Sequence, residues 1–195
     1  MKKYFLFSPI IFLFMFGFTF SNSSSFEETT SIIIKNTNEI KQTIISSITF
    51  KIKNAGIGVD GSFKGFQGIV DFNPDDLATS KLNVSVESKT IDTDNSIRDN
   101  HLREEEYFGV EKHPRISMKS SKIEKVSEGK YKATFNLTLK GKTESVSFPF
   151  SYSKTSTGYK LNGSFDIDRR DYEVGGSSWI LSDDVTVFIN LEVKD

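Results

Sequence analysis

Residues 131–140 read YKATFNLTLK, with Tyr131, Ala133, Phe135, Leu137 and Leu139 on one parity and Lys132, Thr134, Asn136, Thr138 and Lys140 on the other. A helix would scatter those apolar side chains around its axis, whereas an extended strand puts all of them on one face. The same period of two recurs along the chain. It runs through Ile48, Phe50 and Ile52, through Leu82, Val84 and Val86, and through Val146, Phe148, Phe150 and Tyr152. It closes with Val185, Val187, Ile189, Leu191 and Val193. Weaker segments at Phe63–Phe72, Arg115–Ser120 and Tyr159–Ile167 bring the expectation to about eight short strands. Turn signals NPDD, SEGK, KGKT and KTSTG separate them, and the short later connections imply antiparallel neighbours. Eight such strands, each apolar on one face, suit a closed barrel or a sandwich.

The first residues, MKKYFLFSPIIFLFMFGFTFSNSSS, run from two lysines through an apolar stretch to small polar residues, the order of a secretory signal. Residues 1–23 are therefore expected to be a signal peptide cleaved near Ser21–Ser24, although the apolar run also suits an uncleaved anchor. Residues 24–43 read as a linker or a loosely attached strand, and residues 44–195 as one domain. The chain has no Cys, which excludes a lipid-modified N-terminal cysteine and leaves stability to an ordinary core. Without Lys2 and Lys3, 23 basic residues face 26 acidic ones, a formal charge of 23 − 26 = −3. That balance, with no basic stripe, argues against nucleic acid as a partner.

From Ser88 to Pro114 the alternation stops, and a gap of that length inside a domain is functional or carries its own helix. Its centre is SIRDNHLREEEYF, Ser96–Phe108. Ser96 followed by Asp99 resembles a capping box. Asp99 and Arg103, four apart with the acid first, fit a helical ion pair. Ile97 and His101 share a face, with Leu102 beside it. Three readings stay open. The stretch is a structural helix; or His101 is a general base oriented by Asp99, though no serine is marked as a nucleophile; or it is the polar rim of an apolar cavity. A metal site would need more ligands than His101 and His113, 12 positions apart, supply. The chain has 18 Phe, and Phe50, Phe63, Phe66, Phe72, Phe135, Phe148, Phe150 and Phe165 fall on or beside strands. They suit a ligand cavity and a packed core equally well.

Four stretches together resemble the YceI-like family of bacterial lipid-binding proteins: ITFKIKNAGIGVDGSFKGFQGIVDFNP, SKTIDTDNSIRDNHLREEEYFGVEKHPRISMKS, FNLTLKGKTESVSFPF and GSFDIDRRDYEVG. The resemblance covers roughly Ser46 to Asp195. Its most specific element is R-D-x-H-L-R followed by an aromatic pair and a proline, here Arg98, Asp99, His101, Leu102, Arg103, Tyr107, Phe108 and Pro114. It implies an all-β fold, an extended antiparallel eight-stranded lipocalin-like β-barrel with a short helix between strands 3 and 4. It also implies an elongated apolar pocket for a polyisoprenoid, an isoprenoid quinone or another long-chain, fatty-acid-like amphiphile, and a periplasmic or secreted location. No cofactor is implied beyond such a bound lipid, no enzymatic activity is implied, and a homodimer stays open.

On that resemblance Leu102 and Phe108 pack inward and Asp99 caps the helix, while Arg98 and His101 are available to a ligand head group. Phe50, Phe135, Phe148, Phe150 and Phe165 line the tail. Arg169, with Asp171, locks the barrel end or contacts ligand. Two departures bear on the head group. Asn54 stands before Ala55 and Gly56 where many members have His before Leu-Gly, and the last loop, GGSSWILSDD, places Trp179 near a barrel end. The rival expectations are an interaction barrel with a filled core, and a small hydrolase-like enzyme.

Overall fold

In Lys130–Leu139 the side chains at Tyr131, Ala133, Phe135, Leu137 and Leu139 are buried while those between them are exposed or half-buried. The alternation of the sequence is therefore the alternation of the strand. The computed structural model describes residues 28–31 and 42–194; the expected signal segment lies outside them. The strands are β1 (Glu28–Ser31), β2 (Thr43–Asn54), β3 (Ile57–Phe63), β4 (Gln67–Asp71), β5 (Lys81–Glu87), β6 (Arg115–Ser127), β7 (Lys130–Leu139), β8 (Lys142–Thr155), β9 (Gly158–Asp168) and β10 (Leu181–Lys194). One helix, α1 (Ser96–Arg103), follows a 3-10 turn at Ser88–Thr90, between β5 and β6.

Every strand pairs antiparallel, in the order β1-β2-β10-β9-β8-β7-β6-β5-β4, with β3 also on β2. All eight expected segments are strands, and the count rises to ten for two reasons. Glu28–Ser31, in the stretch expected to be a linker or loose strand, pairs with Thr43–Ser46. Ile57–Ser62, where no strand is expected from the sequence, forms most of β3, while the expected run Phe63–Phe72 keeps only its first residue in β3 and, past Gly65 at a φ of 69°, supplies β4. The chain then leaves the edge of β2 and continues on the edge of β5.

That crossing curls the sheet into a barrel with a seam. No ladder runs along the seam among the described residues. It is stitched by a backbone pair between Ser62 and Asp92 (2.9 and 3.1 Å) and by Glu87 N–H donating to Lys64 O at 2.9 Å. Two tight hairpins, β2–β3 and β7–β8, turn through Ala55–Gly56 and Lys140–Gly141, both residues of each at positive φ. That geometry matches the twist of the flanking strands, with glycine where it is least strained.

The two ends of the barrel differ. Where β8 turns into β9, Phe72 lies 4.9 Å from Tyr131 and 5.5 Å from Phe150, with Tyr152 at 5.3 Å. These rings fill the interior with offset and edge contacts. The other end gathers the β2–β3 hairpin, the β7–β8 turn, the β9–β10 loop and α1.

Candidate functional site

Inward positions toward the α1 end line a partly open cavity of about 180 Å³ whose wall is almost wholly apolar. β2 contributes Ile48, Phe50 and Ile52, β7 contributes Leu137 and Leu139, and β10 contributes Val185, Val187 and Ile189. Leu102 of α1 and Phe108 cover it. Phe108 meets Phe63 edge-on at 5.5 Å, and Phe63 lies 5.5 Å from Phe50, so the aromatic wall continues from the barrel onto its cover. A smaller cavity of about 40 Å³ lies deeper, beside Phe135, Phe148 and Phe150.

The polar residues at the wall are few, and its two arginines are tightly held. Arg98 donates from Nε to Thr93 Oγ1 at 2.8 Å and from Nη2 to Thr93 O at 2.6 Å. Thr93 donates in turn to Asp99 Oδ1 from its N–H (3.0 Å) and its hydroxyl (2.5 Å). Asp99 and Thr93 are both buried, so this relay fixes a half-buried guanidinium at the cavity edge. Among the described residues Arg98 forms no ion pair, and its Nη1 makes no hydrogen bond. A half-buried cation with spare donors and no carboxylate partner suits an anionic or carbonyl-bearing group.

Several expectations about the charged stretch are corrected here. The helix is capped by Asn95, whose Oδ1 accepts from Arg98 N–H at 3.0 Å, not by Ser96 and Asp99. Asp99 sits one turn in, where it holds the incoming loop through Thr93. Arg103 does not pair with Asp99: it donates to Lys89 O, Ile91 O and Asn100 Oδ1 at 2.8 to 2.9 Å, fastening α1 to the 3-10 turn. His101 is exposed and lies outside the cavity wall. Among the described residues Asp99 makes no hydrogen bond to it; Asp99 Oδ1 accepts from Thr93 instead.

Arg169 lines the same cavity but is 3% exposed. Its carboxylate partner is Asp183 at 2.7 Å, not the expected Asp171. Its other donors reach Ser182 O (2.9 Å), Val174 O (2.8 Å) and Gly176 O (3.0 Å). The group is thus spent on shaping the β9–β10 loop. Trp179, in that loop, is fully exposed at 105% and is not in the wall. Asn54 is in the wall, at the hairpin beside it, where Ala55 N–H donates to Ile180 O. Phe50 and Phe165 line the larger cavity, and Phe135, Phe148 and Phe150 the smaller.

Some wall residues carry a sequence signal that was available. Val84, Met118, Leu137 and Ile167 are simply inward positions of their strands. Others carry none: Thr93, Ile91 and Val174 come from irregular segments and reach the cavity through the fold alone.

A family model described as a YceI-like domain matches residues 42–193. The chain belongs to the YceI-like family. A UPF0312 protein of Serratia proteamaculans is 30% identical over 154 residues, covering 74% of this chain and 79% of that one. A UPF0312 protein of Pectobacterium carotovorum is 38% identical over 100 residues, and there the match spans 51% of this chain and 52%, about half, of its relative. Among solved structures, Burkholderia cenocepacia BcnA superposes with a TM-score of 0.70 at 24% identity, over 77% of this chain and 96% of that one. A polyisoprenoid binding domain from Saccharophagus degradans superposes with a TM-score of 0.59 at 13% identity, over 76% and 93%. These two likenesses show a shared fold.

Proposed function

We propose that this YceI-like chain binds an amphiphilic lipid, a polyisoprenoid or isoprenoid quinone, with its tail in the barrel and its head at Arg98. The observation that carries this reading is the cavity itself: a partly open space with an almost wholly apolar wall, in a barrel whose opposite end is lined by packed aromatic rings. Each methylene moved from water into such a wall contributes about 0.8 kcal/mol, so the tail supplies the affinity. The head adds orientation through the held guanidinium of Arg98. The polyisoprenoid binding domain among the structural neighbours supports the ligand class by analogy of fold.

An interaction barrel with a filled core is less well supported, since the interior toward α1 is open. A hydrolase-like reading has lost its geometry, with His101 exposed and Asp99 engaged elsewhere. The role fits carriage, storage or sensing of the lipid in the cell envelope, in a periplasmic or secreted protein. Organic extraction of the protein purified from a bacterial host, followed by mass spectrometry, tests it. A heteroatom-poor prenyl lipid near one per chain is expected, and extracts indistinguishable from a mock purification would contradict it.

A further inference from the structure

The two cavities adjoin, and neighbouring strands supply the residues where they meet. Val84 of β5, Met118 of β6 and Ile189 of β10 border both. The remaining arc, across β7, β8 and β9, is a stack of three rings. Phe135 and Phe148 lie 5.2 Å apart with planes 18° apart, and Phe148 and Phe165 lie 4.4 Å apart at 15°. Phe165 borders only the larger cavity, and Phe135 and Phe148 only the smaller. One edge of the Phe148 ring lies beside the β9 backbone at Gly163, where an added Cβ would stand 3.0 Å from Phe148 Cε2 and 3.3 Å from Cδ2. A residue with a side chain at 163 would push that ring away, so the glycine is part of the stack's construction.

We propose that the Phe135–Phe148–Phe165 stack is an internal stop that sets how much of a prenyl chain the barrel accepts. The ligand this chain prefers then buries a short prenyl tail whose end rests on the stack, and additional isoprene units add no affinity. This rests on the lipid-binding reading above. The size of the cavity agrees with it. An apolar cavity of about 150 Å³ accommodates the six carbons of one benzene ring, so about 180 Å³ takes about seven carbons, between one and two isoprene units, with the rest of a farnesyl-length tail at the mouth. The space behind the stack, about 40 Å³, is bordered by Phe135 and Phe148, and removing the Phe148 ring would extend it toward the larger cavity, whose lining it already shares at Val84, Met118 and Ile189. Beyond it the Phe72, Tyr131 and Phe150 cluster is a second, permanent floor.

A ladder of prenols, geraniol, farnesol and geranylgeraniol, tests the stop by titration calorimetry on delipidated protein. In the wild type, affinity rises about tenfold or more from geraniol to farnesol and less than about twofold from farnesol to geranylgeraniol. In Phe148→Ala the second step also becomes about tenfold, because the deeper space has opened. Phe148→Leu, which keeps more of the packing, gives an intermediate second step and carries the test if the alanine variant does not fold. An unchanged break at farnesol in both folded variants overturns the stop while leaving lipid binding intact. Steady gains up to geranylgeraniol in the wild type do the same. A wild type that binds none of the three prenols overturns the lipid reading together with the stop.

Discussion

Arg169 donates to Asp183 Oδ1 at 2.7 Å, yet the two partners sit in opposite environments, the guanidinium side chain 4% exposed and the carboxylate side chain 43% exposed. Removing the buried partner strands several loop carbonyls, whereas changing the exposed one leaves water able to fill in. Arg169→Ala is expected to cost about 3 kcal/mol of stability, and Asp183→Asn, which keeps an acceptor in place, about 1 kcal/mol. Urea denaturation of the two variants checks the ratio. Equal losses would mean that the ion pair, and not the carbonyl cluster, holds the loop.

Much of this architecture was legible in the residues. The inward parity of Tyr131 to Leu139 and of Val185 to Val193 is the parity of the finished strands. Strand β3 was harder to see, because IGVDGSF at 57–63 carries glycines at Gly58 and Gly61 and little apolar alternation, and three irregular residues, 64–66, part it from β4. The site was less legible than the fold. Asp99 and Arg103 stand at the spacing of a helical pair, but each found better partners outside the helix, Thr93 for one and the carbonyls of Lys89 and Ile91 for the other. Local spacing cannot anticipate such contacts. Asn95, by contrast, is a preferred cap residue three positions before Arg98, and its role could have been read.

Asp99 therefore behaves as a buried acceptor. Asp99→Ala is expected to cost about 2 to 3 kcal/mol, because it leaves the Thr93 N–H and hydroxyl without their partner. Ser96→Ala is expected to change little, and Asn95→Ala to cost about 1 kcal/mol as the loss of a cap. Thermal melts of the three variants check the order. A larger loss at Ser96 than at Asp99 would restore the capping-box reading.

Arg98 and His101 separate cleanly in the structure, one at the cavity edge and one outside it. Arg98→Gln is expected to weaken farnesoic acid about tenfold, the scale of one charge-assisted hydrogen bond. It should leave the hydrocarbon farnesene within about twofold, since the tail contacts are unchanged. His101→Gln should alter neither. Competition titrations with the two ligands decide, and an equal effect of Arg98→Gln on both would assign Arg98 to the fold alone.

Tyr172 is almost completely buried, and among the described residues its hydroxyl has no hydrogen-bond partner. Burial, with smaller contributions from the Glu144 and Asp171 carboxylates, pushes its phenol up to about 12. A phenol whose pKa is raised on folding contributes stability that is complete below the unfolded value near 10 and is lost as the pH rises toward 12. Tyr172→Phe removes both the titration and the unpartnered hydroxyl. Its melting temperature should match or exceed that of the wild type at pH 8, and the gap should widen in its favour between pH 10 and 12. A gap that stays constant across that range would contradict the assignment.

The central claim, that the barrel interior is a lipid site, is tested most directly by native mass spectrometry of the wild type and of Val187→Trp, purified side by side from the same bacterial host. Val187 is a half-buried residue of the cavity wall, and an indole there occupies the space without removing any hydrogen bond. The account predicts a discrete lipid adduct on the wild type and the bare polypeptide mass for a folded Val187→Trp. Bare mass for both proteins, or an adduct that survives the substitution, would contradict it.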